Sequence, residues 1–159
     1  MEATEIMVKM VFDRWNALMQ RCTGILDNLT DEQWQHEIAP GRNRVIYLVG
    51  HLIAVHDDMI PLLNFGDKLY PELYEPFLKS PDTRTTEIPS AQTLRAYWHT
   101  HQEKLTQQVE RLKPEDWFEK HTAVSAEEFI KEPYRNKLNI IITRTSHLSY
   151  HIGQLALIK

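Results

Sequence analysis

A single cysteine, Cys22, leaves the chain unable to form an intrachain disulfide. That excludes a small disulfide-stapled scaffold and fits a reducing compartment. Glycine is scarce, with 5 in 159 residues, and long stretches pass without glycine or proline. Many short strands joined by tight turns are therefore not expected. No apolar run approaches the roughly 20 residues that span a bilayer. The first residues, Met1-Glu2-Ala3-Thr4-Glu5, are acidic where a secretory leader is basic. A cytoplasmic protein with no membrane partner is expected. Clustered basic charge is also missing: 18 Lys and Arg are scattered among 22 Asp and Glu, for a net charge of −4. The densest basic spot, Gly41-Arg42-Asn43-Arg44, reads as a loop-to-helix junction. A nucleic-acid partner is not expected from such a distribution.

What the chain does have is 42% hydrophobic and 25% charged residues, the balance of one globular domain covering residues 1–159. Four segments carry helical periodicity. The first runs from about Glu5 to Asn28, with Met7, Met10, Val11, Leu18, Ile25 and Leu29 read as its inner face. The second, from about Asn43 to Phe65, turns Val45, Leu48, Val49, Leu52, Met59, Ile60 and Leu63 inward. The third follows a Ser90 cap and continues to about Leu112. The fourth starts near Asn136 and runs to the C-terminus on Ile141, Thr145, Leu148, Ile152 and Leu155.

Two long connections separate them. Residues 66–89 contain four prolines and one short helix around Glu72 to Leu78, and residues 113–133 form the other. Connections this long are either functional segments or crossovers between parallel neighbours in a bundle. An internal echo accompanies them. Leu29-Thr30-Asp31-Glu32-Gln33-Trp34 follows the first helix, and Leu112-Lys113-Pro114-Glu115-Asp116-Trp117 follows the third. Both read Leu-x-x-Glu-x-Trp, which is either a generic helix restart with an aromatic plug or the trace of two similar halves.

The chemistry-bearing residues are histidines. His147 and His151 lie four apart on the fourth helix, so both imidazoles project from one face and can reach a single ion at about 2.0–2.1 Å. Their stripe flanks the apolar line by about one residue, where a bundle places ligands of an internal cleft. By spacing alone, the pair is a metal site or two half-exposed histidines making ordinary hydrogen bonds. His51 sits on a comparable flank of the second helix, directly after Gly50; taken alone it reads as a satisfied histidine at the core edge, and beside the pair as a third ligand. A glycine costs about 1 kcal/mol in a helix interior, so close packing or a ligand is needed to explain it. His56 is turned about 140° from His51, and His99 and His101 face opposite ways. Asp58 shares the His51 face but lies about 10.5 Å along the axis, too far to bind the same ion. Tyr150, Gln154, Tyr47 and Arg144 lie near these histidines and are candidates to hydrogen-bond a substrate; interhelix packing is the alternative for each. Cys22 has no local activating partner and reads as a small buried apolar residue.

Leu48-Val49-Gly50-His51-Leu52, followed by His147-Leu148-Ser149-Tyr150-His151-Ile152-Gly153-Gln154, resembles the DinB/YfiT-like superfamily. The Leu-x-x-Glu-x-Trp turn is similar to that family as well. The resemblance implies an all-α four-helix bundle with up-down-down-up order. It implies that His51, His147 and His151 ligate one divalent ion, zinc or nickel foremost and iron next, and that the protein is a homodimer. It further implies a transferase that uses a low-molecular-weight thiol such as bacillithiol, mycothiol or glutathione with a small-molecule substrate. No separate thiol-binding motif accompanies the histidines. Two other functions stay open: a non-catalytic bundle that binds a metal or small ligand, and a metal-dependent hydrolase.

Overall fold

The computed structural model describes residues 2–84 and 87–158, and among them the chain is all-helical. Helix α1 spans Ala3–Asn28, α2 Val45–Asp57, α3 Met59–Leu62, α4 Ala91–Val109, α5 Ala126–Lys131 and α6 Lys137–Leu155. The long helix α1 lies along α6, α2 lies along α4, and α2 also meets α6. The core between them is continuous, from Trp15 and Leu26 on α1 through Leu52 and Ile53 on α2 to Trp98, Ile141 and Leu148.

The expected Ser90 cap is realised, and the structure adds a second one at the start of α6. The Ser90 side chain accepts from the Thr93 N–H at the start of α4, and Asn136 accepts from the Asn139 N–H at the start of α6. Each satisfies a helix-end donor that has no intrahelical partner. The second segment does not run unbroken to Phe65. Helix α2 ends at Asp57 because Pro61 has no N–H for the Asp57 carbonyl and its ring crowds that carbonyl. The chain restarts as the single turn of α3. This stretch, Val45–Leu62, is apolar and long enough to be compared with a membrane span, yet most of it is buried inside the bundle.

The inner face of α1 differs from the expectation. Val8, Trp15, Met19, Cys22 and Leu26 are buried, whereas Met7 and Met10 are 52% and 67% exposed. Val11, Leu18 and Ile25 pack at the edge of the core. Two apolar stripes adjoin on this helix, about 100° apart. Docking selects the one carrying Trp15, the larger side chain, and leaves the methionines outside.

The crossover from α3 to α4 is stapled along α2. The Asp57 carboxylate accepts from the Leu69 and Tyr70 N–H groups at 2.8 and 2.9 Å. The Tyr47 hydroxyl donates to the Ser80 carbonyl at 2.6 Å. Buried Arg44 donates to both oxygens of Asp82, with Nη2 to Oδ1 at 2.7 Å. In place of one short helix, the crossover holds a 3-10 turn at Pro71–Leu73 and a π-helical turn at Glu75–Lys79, with Leu73 and Phe77 fully buried. These staples fix the backbone that reaches the histidines.

Candidate metal centre

His51 is positioned from below by Gly50. A methyl group at residue 50 would overlap the Phe77 ring, so only glycine lets that ring lie against α2. The same approach brings the Phe77 carbonyl oxygen to 3.0 Å from His51 Nδ1. A carbonyl only accepts, so His51 carries its proton on Nδ1 and its Nε2 presents a lone pair. On α6, His151 is fixed in the same way. Its Nδ1 lies 2.7 Å from Gln154 Oε1, which leaves the Nε2 lone pair free.

The three Nε2 atoms converge. His147 Nε2 lies 3.2 Å from His51 Nε2 and 3.1 Å from His151 Nε2, and the ligand atoms of all three lie within 4.8 Å of one another. Two nitrogens bound to one ion at 2.0–2.1 Å with a tetrahedral angle stand about 3.3–3.4 Å apart, so the spacing fits. The proton count points the same way. With Nδ1–H on both His51 and His151, a proton on His147 Nε2 serves only one of the two contacts. The other then sets lone pair against lone pair, whereas a cation at the centre satisfies all three.

The electrostatics keep these rings ready to bind. Burial, aided by His151, His51 and Arg144, pushes His147 down to about 4. Burial also lowers His151, against the opposing bond from Gln154. Both are therefore neutral near pH 7, the form a metal requires. His147 lacks the brace of the other two: its Nδ1 is buried with no hydrogen-bond partner among the described residues.

The remaining candidates fall in different places. Gln154 holds His151 and, through its Nε2, reaches the Tyr150 hydroxyl at 3.4 Å. Tyr150 is exposed, with its ring edge on His151. Tyr47 donates its hydroxyl to the Ser80 carbonyl of the crossover at 2.6 Å. Arg144 is half-buried, one turn before His147. Asp58 pairs with Lys68 at 2.5 Å, and exposed His99 pairs with Asp27. His101 is buried beside Asp57, its Nε2 3.7 Å from Oδ1. His56 is buried between Trp15 and Trp98, its ring centroid 5.2 and 5.6 Å from theirs. Cys22 is fully buried, and burial pushes its thiol up to about 12. The partner that spacing did not reveal is the Phe77 backbone oxygen; its only trace in the sequence is the unexplained Gly50.

An all-helical domain with three imidazoles aimed at one point has the makings of a metal-binding bundle. The chain belongs to the DinB superfamily, whose family profile matches residues 14–155. A solved structure with the same fold is the conserved protein of a locus from Enterococcus faecalis. It is 18% identical, covers 99% of this chain and 98% of its own, and has a TM-score of 0.64. No curated protein matches the sequence.

Proposed function

We propose that this protein is a metal-dependent transferase that joins a low-molecular-weight thiol to a small electrophilic substrate. The observation that supports it is the convergence of three Nε2 atoms, two of them braced through Nδ1. His51, His147 and His151 would hold a divalent ion and leave at least one position open, as catalytic rather than structural sites do. Zinc, nickel and iron all suit three imidazoles. Such an ion lowers the pKa of a thiol or a water that approaches it. The chain's own residues supply the rest. The Phe77 carbonyl and Gln154 fix the tautomers of His51 and His151. The exposed Tyr150 hydroxyl stands at the rim beside His151, where it can donate to a bound substrate.

The test has two parts. Purified protein should hold about one divalent ion per chain by elemental analysis, and His51→Ala should lose it. Unchanged metal content in that variant would falsify the shared site. With the metal present, thiol-dependent consumption of monochlorobimane should vanish in His147→Ala. Ester or amide turnover without thiol would instead make the protein a hydrolase, and metal binding without turnover a sequestering bundle. The protein is further proposed to be a homodimer, and sedimentation of the purified chain tests this.

A further inference from the structure

We infer that the substrate or thiol handled at this centre carries a carboxylate, and that Arg144 is its anchor. The inference rests on the proposed metal reading for one end of the ligand, while Arg144 is argued from its own surroundings.

Four arginines are not fully exposed: Arg44, Arg95, Arg135 and Arg144. Three have carboxylate partners. Arg44 is paired with Asp82, Arg95 with Asp31, and Arg135 with Glu128 and Glu132. Arg144 has no hydrogen bond and no ion pair among the described residues, and its Nε is cut off from solvent. Removing a guanidinium N–H from water without an acceptor is unfavourable, and more so for a charged group. The anomaly sits where a ligand would resolve it. On α6, Arg144, His147 and His151 follow at steps of three and four, which places them on one stripe. The Arg144 charge is felt by His147.

The carboxylate that acts on it does not pair with it. Asp58, at the junction of α2 and α3, acts on Arg144 through space, but its ion pair is with Lys68 at 2.5 Å and its Oδ1 accepts no hydrogen bond among the described residues. A dication held by three neutral imidazoles would add positive charge to the same stripe. A ligand lying along it must bring negative charge at both ends. A planar fork of N–H donors matches the two oxygens of a carboxylate, which a lysine-like point charge does not.

The test follows the Arg144 Nε–H signal by ¹⁵N NMR, assigned by its loss in Arg144→Lys. Metal-free and Zn²⁺-loaded protein are each titrated with 3-mercaptopropionate and with the neutral 3-mercaptopropan-1-ol. The acid should give a saturable shift in both forms, about tenfold tighter with zinc, and the alcohol none. Arg144→Gln should lose the preference for the acid while keeping its zinc content. Absence of a saturable shift, or an equal response to the alcohol, overturns the inference. A protein that shows the shift but binds no zinc refutes the metal reading and keeps Arg144. One that binds zinc without the shift does the reverse.

Discussion

Gly50 acts on His51 through Phe77, so its replacement should be felt at two points. Gly50→Ala normally gains about 1 kcal/mol in a helix interior. Here the new methyl group meets the Phe77 ring, and such overpacking costs roughly 1–3 kcal/mol. A net loss of stability of roughly 1 kcal/mol is expected in denaturant titrations. Metal affinity should fall with it, because a displaced Phe77 carbonyl no longer braces His51. An unchanged affinity would show that the brace is dispensable. Cys22 makes a contrasting case. Its buried thiol, raised to about 12, should resist alkylation in the folded protein and react only on unfolding. Rapid native-state labelling would contradict the inert role that the sequence already assigned it.

At the scale of elements, the two Leu-x-x-Glu-x-Trp segments prove to be equivalent in more than spelling. Each closes as a 3-10 turn, at Gln33–Gln35 and Pro114–Phe118, and buries its tryptophan. Each then ties back to the start of a histidine-bearing helix. The Val45 N–H donates to the His36 carbonyl at 3.0 Å, and the Lys137 N–H donates to the Glu119 carbonyl at 2.9 Å. Isolated bridges pair Glu37 with Arg44 and Lys120 with Asn136 at matching places. The turns thus set where α2 and α6 begin, and with that the height of the histidines. Asn136→Ala removes the cap of α6 and should cost about 0.5–2 kcal/mol, read as a lower denaturation midpoint. Local signals such as the Ser90 cap, the tryptophan echo and the His147–His151 spacing were legible because each depends on residues a few positions apart. The face of α1 was not, since two apolar stripes lie side by side and only docking against the rest of the bundle chooses between them. The route of the crossover was equally hidden. Its staples, Asp57 to Leu69 and Tyr70, Tyr47 to Ser80 and Arg44 to Asp82, join residues whose pairing no spacing rule announces. The Phe77 oxygen arrives at the site only by that route.

For the molecule as a whole, folding keeps several imidazoles uncharged, and this couples stability to pH. His56 is held well below its ordinary value, chiefly by burial and then by repulsion from the basic groups around it, His101 foremost and then Arg144. His101 is lowered to about 4 by burial, against the pull of Asp57. In the unfolded chain both titrate near 6.5. Between about pH 6.5 and 4 the unfolded state therefore binds more protons than the native state, and stability falls as pH falls. Each imidazole contributes a slope that approaches about 1.4 kcal/mol per pH unit. A divalent ion at the proposed site should act in the opposite sense, because it would need the native imidazoles neutral. A free ion at one hundred times its Kd adds about 2.7 kcal/mol, or roughly 5–10 °C in Tm for a chain of this size. That gain should shrink on acidification as protons compete for the ligands. The two effects separate in His56→Leu. Neither nitrogen of His56 has a hydrogen-bond partner among the described residues, and an apolar side chain between Trp15 and Trp98 removes that penalty. The variant should match or exceed the parent at pH 7 and lose less stability at pH 5, while the metal-induced rise in Tm persists. Parallel acid profiles for variant and parent would mean that His56 titrates normally in the folded protein, contrary to its burial.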